Sequence, residues 1–227
     1  MSGLLDGIEG VFIDFYGTIA AGDREAVHDA CAAIVEQVGL AMTPDELAVR
    51  WGEVFFETMG RSNNHEVRTL AQCEADSLRD TLAPLVGPVD PWPLVGLLVD
   101  YWRQPPLFDD AIKALATMPV PVCCVSNVDS DDLRLACHHH GLWFAEAVTS
   151  EDARSYKPHG GIFREALRRT GWDPRRVVHI GDSLHSDVGG AQAAGLRAFW
   201  LCRESRIHDI GTATPEATIA SLVELTP

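Results

Sequence analysis

The feature that most constrains the fold is a short apolar run, residues 11–13, that ends at an acid, Asp14. A short run with β-branched residues and no polar alternation is typical of a strand buried on both faces of a parallel sheet. Gly17 follows closely and indicates a tight turn. Ligands of open α/β sheets bind just outside the carboxyl ends of the strands, so Asp14 is placed for chemistry. An acid that only caps the turn is the alternative interpretation.

The stretch that follows Thr18 has helical rather than strand periodicity. Helices are predicted over residues 23–39, 44–59, 66–82 and 91–101. The second of them has a strong start, with Thr43 as N-cap and Pro44 in the first turn. Pro105 and Pro106 then end the helical pattern. We therefore expect an all-helical domain over residues 22–104, inserted directly after the first strand.

The remainder of the chain alternates between helical segments and short apolar runs. Strands are predicted at residues 120–125, 145–148, 177–180 and 198–201, helices at 109–116, 131–139, 161–170 and 189–194, and a weak final pair within 217–225. This alternation is typical of βαβ units and a parallel sheet. The predicted fold class is therefore α/β, a doubly wound, Rossmann-like parallel sheet formed by residues 1–21 and 105–227.

Composition limits the partners of the chain. The net charge of −15 argues against nucleic acid and against an anionic membrane surface, and no apolar run reaches the ~20 residues of a membrane span. A small anionic substrate would need local positive charge, and the lysines are Lys113 and Lys157 only. The six cysteines lack zinc spacing, and residues 1–9 lack a signal-peptide pattern. We expect reduced, mostly buried thiols and a cytoplasmic protein, monomer or homodimer.

Four groups of polar residues stand where predicted parallel strands end or helices begin. They are Asp14 with Thr18, Ser126 with Asn127, Lys157 with Pro158, and Gly181-Asp182-Ser183 with Asp187. Taken singly, each has an ordinary explanation as a cap, a turn or a solvated charge. Together they place a nucleophile, hydroxyl and amide donors, a cation and two further acids at one edge of a sheet, which packing does not explain.

The order and spacing of these residues resemble the haloacid dehalogenase (HAD) superfamily of hydrolases. The resemblance covers the whole chain, and it rests on Asp14-x-Tyr16-Gly17-Thr18, Ser126-Asn127, Lys157-Pro158 and the run from Gly181-Asp182-Ser183 through Asp187 to Gly190-Ala191 and Gly195. It implies a HAD core whose first motif, here a DxYGT variant, is followed by an inserted α-helical cap.

The same resemblance implies roles for the residues that bind the substrate. Asp14 would be a nucleophile that forms a covalent aspartyl intermediate. Thr18, Ser126 and Asn127 would donate hydrogen bonds to the transferring group. Lys157 would neutralise the charge between Asp14 and the substrate anion.

In the phosphatase branch of the superfamily, the site also holds Mg²⁺. The resemblance implies that Asp14, the backbone carbonyl of Tyr16 and Asp182 would be its ligands. Asp187 would hold one of the metal-bound waters or the lysine. Mg²⁺ is a hard cation that prefers oxygen ligands, so this set of residues agrees with its chemistry.

Tyr16 departs from the phosphatase pattern, which has at this position an Asp that protonates the leaving oxygen and then activates water. A phenol with a pKa near 10 is a poor acid for an alkoxide. Tyrosine here resembles the L-2-haloacid dehalogenase branch, where halide leaves without a proton. That branch, however, has Ser and Asn where this chain has Asp182 and Leu184. A second carboxylate beside Asp14 would share a bound Mg²⁺ with it, whereas without a metal the two negative charges would repel each other.

We therefore favour a Mg²⁺-dependent phosphatase that acts on a small phosphorylated metabolite. The alternatives are a metal-free haloacid dehalogenase and a non-catalytic module with the same fold. With Tyr16 in place of the usual acid, a phosphatase would act on a phosphate with a good leaving group, such as an acyl or enol phosphate, or would turn over slowly. A cap residue would otherwise supply the proton, and His28 and His65 are the candidates.

Overall fold

The computed structural model, which describes residues 3–63, 66–203 and 211–226, has one six-stranded sheet in which every neighbouring pair is parallel. The strands are β1 (Gly10–Ile13), β2 (Val122–Ser126), β3 (Glu146–Thr149), β4 (Val177–Gly181), β5 (Arg197–Leu201) and β6 (Ala217–Ile219). Their order across the sheet is β3-β2-β1-β4-β5-β6. The chain therefore winds outward from β1 in both directions, which confirms the predicted doubly wound α/β fold.

Helices connect the strands. They are α1 (Asp23–Val38), α2 (Pro44–Arg61), α3 (Leu70–Val86), α4 (Trp92–Arg103), α5 (Asp109–Thr117), α6 (Ser130–His140), α7 (Ser150–Ala153), α8 (Gly161–Thr170) and α9 (Gly190–Ala193). Short 3₁₀ turns cover Pro174–Arg176 and Leu222–Leu225, and a π-helical turn covers Leu184–Gly189. None of these described helices is both long enough and apolar enough to cross a membrane.

The central strands are buried on both faces, as the uninterrupted apolar run at residues 11–13 predicted. Phe12 belongs to the apolar cluster on one face of the sheet, and Ile13 belongs to the cluster on the other. Cys123 and Cys124 are divided between the same two clusters, as the alternation of side chains along a strand requires. All six cysteines are free, and four of them are buried.

One helix starts later than its apolar pattern suggested. The third helix was predicted over residues 66–82, and α3 begins at Leu70. The hydroxyl of Thr69 accepts from the N–H of Gln72, and the side chain of Gln72 accepts from the N–H of Thr69. This reciprocal capping satisfies two backbone donors and fixes the start of the helix.

Helices α1 to α4 lie between β1 and α5 in the chain and pack on one another; we call them the helical insert. Their shared apolar cluster includes Ile34 of α1, Trp51 of α2, Leu78 of α3 and Leu98 of α4. The indole N–H of Trp51 donates to the hydroxyl of Ser77 at 2.9 Å, so the one polar atom of this large side chain is satisfied inside the cluster. The domain limits at residues 22 and 104 stay a prediction.

Hydrogen bonds join the helical insert to the part of the molecule that contains the sheet. Asp129, which follows β2, accepts from the backbone N–H groups of Leu70 and Ala71 at 2.5 and 3.1 Å. A carboxylate there complements the positive end of the α3 dipole. Arg103, at the end of α4, donates to Asp132 of α6 at 2.7 Å. The insert is therefore anchored beside the edge of the sheet where β2 ends.

The packing of α4 gives a direct test of the insert. Leu98 is 2% exposed, whereas its neighbour Leu97 is 48% exposed. We expect Leu98→Ala to lower the free energy of unfolding by about 2–5 kcal/mol, because it empties a filled site in the cluster. Leu97→Ala should lower it by less than about 1 kcal/mol. Denaturant unfolding followed by tryptophan fluorescence measures both, and equal losses would contradict this orientation of α4.

Candidate active site

Asp14 stands at the end of β1, where the parallel pairing with β4 continues for one more hydrogen bond. Its backbone N–H donates to the carbonyl of Ile180 at 2.9 Å. Its side chain is buried, and Oδ1 accepts from the hydroxyl of Ser126 at 3.0 Å and from Nζ of Lys157 at 2.6 Å. Because β1 and β2 end at the same edge of the sheet, the first two groups of polar residues meet there.

Lys157 is 2% exposed and uses all three of its N–H donors. Nζ donates to Oδ1 of Asp14, to Oδ1 of Asp187 at 2.7 Å and to the carbonyl of Val125 at 3.0 Å. Burial on its own would lower the pKa of Lys157, but the two carboxylates together raise it above its usual value. The side chain is therefore a fixed positive charge between two acids.

The two acids respond differently to the shared ammonium. Burial raises the pKa of Asp14, and the neighbouring charge of Asp187 adds to that, although Lys157 opposes both. Burial would also raise the pKa of Asp187, but Lys157 and His179 hold it below its usual value. Asp187 is thus the firmly ionised member of the pair, while the charge of Asp14 is less well compensated.

Asp187 reaches the site because a π-helical turn follows β4 and precedes α9, the helix that was predicted at residues 189–194. The hydroxyl of Ser183 accepts from the N–H of Ser186 at 2.9 Å and caps the turn. The N–H of Ser183 donates to Oδ2 of Asp187 at 3.1 Å. The wider turn folds the Asp187 side chain back toward the sheet, and such turns are frequent at functional sites.

Asp182 brings a third carboxylate to the same place. Its Oδ1 accepts from the hydroxyl of Thr18 at 3.3 Å, and its backbone carbonyl accepts from the indole N–H of Trp200 at 2.9 Å. Asp14, Asp182 and Asp187 each have a carboxylate oxygen within 4.8 Å of the others. Clustered carboxylate oxygens are the donors that Mg²⁺ prefers, so the residues present fit this cation.

Asn127 follows Ser126, but its side chain lies on the backbone of Lys157. Oδ1 accepts from the N–H of Lys157 at 2.7 Å, and Nδ2 donates to the carbonyl of the same residue at 3.2 Å. Nδ2 also lies 3.9 Å from the sulfur of Met59, on α2 of the helical insert. The amide of Asn127 therefore fixes the segment that carries the lysine.

Tyr16 turns its side chain toward the helical insert. The hydroxyl donates to the backbone carbonyl of Trp102, at the end of α4, at 2.7 Å. The ring packs edge-on against Phe15, with centroids 5.0 Å apart. Burial raises the pKa of the phenol above its usual value, so the hydroxyl keeps its proton and that proton is engaged by Trp102. The side chain joins the end of β1 to the insert.

Of the two histidines that were candidates for a proton donor, the structure describes only His28. His28, on α1, is exposed, and its ring nitrogens lie 3.5 and 4.0 Å from the carboxylates of Asp29 and Asp45. His65 lies outside the described residues. Neither contact of His28 involves a residue of the acid cluster.

Three residues that sequence reasoning did not select contact the site. His179, on β4, has Nε2 2.9 Å from Oδ1 of Asp187. Trp200, on β5, holds the backbone after β4 as described above, and Arg203 donates to the backbone carbonyl of Thr18 at 2.9 Å. His179 had a signal, as a polar residue inside an apolar strand. Trp200 and Arg203 had no such signal in the sequence, because only the pairing of β5 with β4 brings Trp200 and the residues that follow β5 to the site.

Comparison with known proteins gives three findings. A family model described as a haloacid dehalogenase-like hydrolase matches residues 8–195. The pyrimidine 5'-nucleotidase YjjG of Escherichia coli (strain K12) is 39% identical over 223 residues, which are 96% of this chain and 88% of that protein. A glyceraldehyde 3-phosphate phosphatase of Methanothermobacter thermautotrophicus is 44% identical over 72 residues, and the match covers 32% of this chain and only 30% of that enzyme.

A solved structure extends the likeness to the fold of the whole chain. The L-2-haloacid dehalogenase of Xanthobacter autotrophicus superposes with a TM-score of 0.78 over 96% of each chain, at 20% sequence identity. At this identity the superposition establishes a common fold. It covers the sheet and the helical insert together.

Gly181 tests how closely Asp187 is fitted to the end of β4. A Cβ atom on Gly181 would overlap the carboxyl group of Asp187, so Gly181→Ala should destabilise the protein by about 1–3 kcal/mol and displace that side chain. Gly52, inside α2, has nothing within 4 Å of its Cβ position. Gly52→Ala is the matched control and should stabilise by up to about 1 kcal/mol. Calorimetry measures both, and an unchanged Gly181→Ala melting temperature would contradict the close fit.

Proposed function

The chain belongs to the haloacid dehalogenase-like hydrolase family, and on that premise we propose that it is a Mg²⁺-dependent phosphatase that acts on a small phosphorylated metabolite. The observation that carries the proposal is the cluster of Asp14, Asp182 and Asp187, of which Asp14 and Asp187 contact the ammonium of Lys157. Three carboxylates whose oxygens lie within 4.8 Å of one another concentrate negative charge in a small volume. A divalent cation with oxygen ligands would balance it.

The residues divide between the cation and the lysine. Asp14, Asp182 and the backbone carbonyl of Tyr16 would hold Mg²⁺, which supplies charge neutralisation for the phosphoryl oxygens when it is bound. Both carboxylate oxygens of Asp187 already accept hydrogen bonds, from Lys157 and from the backbone of Ser183. Of the two roles considered for Asp187, the geometry supports the holding of the lysine.

Asp14 is the nucleophile in this proposal. Ser126 and Lys157 both donate to Oδ1, so Oδ2 is the oxygen that attacks phosphorus. The bond from Oδ2 to phosphorus forms while the bond to the ester oxygen breaks, and the leaving group departs with the electron pair. Water then hydrolyses the aspartyl phosphate, which releases inorganic phosphate and restores the carboxylate. The hydroxyls of Thr18 and Ser126 donate to Asp182 and Asp14, and the amide of Asn127 donates to the backbone of Lys157, so donation from these three residues to the transferring group stays a prediction.

The position of Tyr16 limits the substrate. Its phenol is half-buried and donates to the backbone carbonyl of Trp102, so it does not protonate a leaving oxygen. A phosphate ester whose leaving group departs without a proton, such as an acyl, enol or aryl phosphate, suits this site. The two curated relatives are named as a nucleotidase and a phosphatase, which supports phosphate chemistry over halide release.

A haloacid dehalogenase is the second candidate, and the observation that favours it is Tyr16 itself. In a metal-free ester mechanism Asp14 would attack carbon and halide would leave without a proton. The shared fold with the Xanthobacter autotrophicus enzyme is compatible with either reaction. Asp182 tells against this candidate, because its carboxylate oxygen lies within 4.8 Å of that of the nucleophile, and a metal-free ester mechanism has no use for a second acid there.

The surroundings of the enzyme are part of the proposal. The negative net charge and the buried cationic centre suit a small anion, not a nucleic acid or a membrane surface. The six free thiols support a reducing compartment and therefore a cytoplasmic location.

Metal dependence separates the two reactions. We expect hydrolysis of p-nitrophenyl phosphate in the presence of Mg²⁺, loss of that activity in EDTA and recovery when excess Mg²⁺ is added. Asp14→Asn should reduce hydrolysis to background, because an amide is not a nucleophile of this kind, and it controls for a contaminating phosphatase. Chloride release from L-2-chloropropionate that is unaffected by EDTA would overturn the phosphatase and establish the dehalogenase.

Because no aspartate stands at position 16 to protonate the leaving oxygen, we expect kcat/KM to depend strongly on the leaving group. General acid assistance is typically worth about 10²–10⁴-fold, so kcat/KM for aryl and acyl phosphates should exceed that for alkyl phosphates by about 10²-fold or more. Tyr16→Phe should leave the ratio of aryl to alkyl activity unchanged, since the phenol takes no part in the proton transfer. The opposite result would be equal rates for alkyl and aryl phosphates in the wild type and a selective loss of the alkyl rate in Tyr16→Phe. That result would identify Tyr16 as the general acid.

A further inference from the structure

His179 is a polar residue in the middle of the sheet. It lies on β4 between Val178 and Ile180, and its side chain is 0% exposed. The imidazole packs edge-on against Phe163, with ring centroids 5.0 Å apart. Solvent does not reach this ring, so its polar atoms need partners inside the protein.

The hydrogen bonding of the ring identifies its tautomer. Nε2 lies 2.9 Å from Oδ1 of Asp187, and an ionised carboxylate oxygen only accepts, so Nε2 carries the proton. Nδ1 is buried and has no hydrogen-bond partner among the described residues, so a proton there would lack an acceptor. His179 is therefore the neutral Nε2–H tautomer.

Asp187 is held by three donors. Oδ1 accepts from Nζ of Lys157 and Nε2 of His179, and Oδ2 accepts from the N–H of Ser183. Donors on both oxygens fix the rotation of the carboxylate. Since Lys157 also donates to Oδ1 of Asp14, the orientation of Asp187 decides where the ammonium sits relative to the nucleophile.

We propose that His179 is a positioning residue, whose Nε2–H fixes the carboxylate of Asp187 and thereby keeps the ammonium of Lys157 on Asp14. The donor is neutral, so it orients Asp187 without competing with Lys157 as a charge. Its effect on turnover rests on the proposed phosphatase function. The hydrogen bond and its effect on the ammonium do not.

Packing alone does not account for the residue. An apolar side chain of similar size would fill the space beside Phe163 and would not bury a bare ring nitrogen. A buried polar atom without a partner is unfavourable, so Nδ1 destabilises the folded protein. The donation from Nε2 to Asp187 is the feature that an apolar residue could not provide.

Loss of this donor should act on the chemical step. With His179 absent, Lys157 becomes the remaining side-chain donor to Oδ1 of Asp187, and the stronger attraction draws the ammonium away from Asp14. The transferring phosphoryl group then loses part of its neutralisation in the transition state. Ground-state binding of the substrate changes less, so kcat should fall while KM stays nearly constant.

Two substitutions at this position separate donation from packing. His179→Gln keeps a neutral N–H donor, and His179→Met has a similar volume without a donor. With p-nitrophenyl phosphate and Mg²⁺, we expect His179→Met to lower kcat by about tenfold or more, as for one lost hydrogen bond to a charged group, with KM within about twofold of wild type. His179→Gln should restore most of that loss. Wild-type kcat in His179→Met would overturn the proposal.

Phe163→Leu is the packing control. It removes the ring beside His179 and leaves both partners of the hydrogen bond in place. Its melting temperature should fall, because the smaller side chain empties part of the contact, while its kcat should stay within about twofold of wild type, because His179, Asp187 and Lys157 are unchanged. A loss of kcat equal to that of His179→Met would assign the effect to packing and would also overturn the proposal.

A measurement on the unaltered protein tests the hydrogen bond without any assay. In protein labelled with ¹⁵N-histidine, the ¹⁵N spectrum should show His179 with a protonated Nε2, a bare Nδ1 and slow exchange of the Nε2 proton; His179→Gln assigns the signal. The opposite tautomer would overturn the proposal even if the Met variant did not fold. A wild type inactive on phosphates would contradict the phosphatase, while the tautomer would still decide the role of His179.

Discussion

The site depends on one ammonium between two buried carboxylates. Lys157 holds Asp14 at 2.6 Å and Asp187 at 2.7 Å, and all three side chains are nearly inaccessible to water. Removal of Lys157 would leave two buried carboxylates without their shared counter-ion, which is strongly unfavourable. The surrounding backbone holds the three charged groups together. Strands β1 and β2 end side by side, and the carbonyl of Val125 accepts a hydrogen bond from the third N–H of Lys157. A π-helical turn brings Asp187 back to the sheet.

The same charges explain why the cluster suits a metal. The lysine compensates two acids incompletely, and Asp182 adds a third carboxylate at the end of β4. Each acid is held by a different element, so the cluster exists only when the parallel sheet is assembled. Neighbouring residues fix the backbone that carries the charged side chains. Asn127 accepts from the backbone N–H of Lys157, and Trp200 donates to the backbone carbonyl of Asp182.

Sequence reasoning predicted the sheet well because its determinants are local. Apolar runs, turn residues and helix periodicity mark the strands, and the position of polar residues at strand ends places Asp14, Lys157 and Asp187 together. Sequence reasoning did not predict the orientation of side chains whose hydrogen-bond partners are distant in sequence. The hydroxyl of Tyr16 faces Trp102, and the amide of Asn127 faces the backbone of Lys157, because of contacts across 86 and 30 positions in sequence. The capped start of α3 and the π-helical turn depend on single side-chain bonds that periodicity does not register.

The hydrogen bonds between the helical insert and the sheet have a kinetic consequence. Asp14 is 5% exposed, and contacts such as those of Asp129 with α3 and of Tyr16 with Trp102 hold the insert beside it, so the proposed reaction requires these contacts to open before a substrate enters. These contacts form again when the site closes. In the proposed phosphatase, the strength of these contacts would therefore govern how long the product stays enclosed, although none of them touches the product.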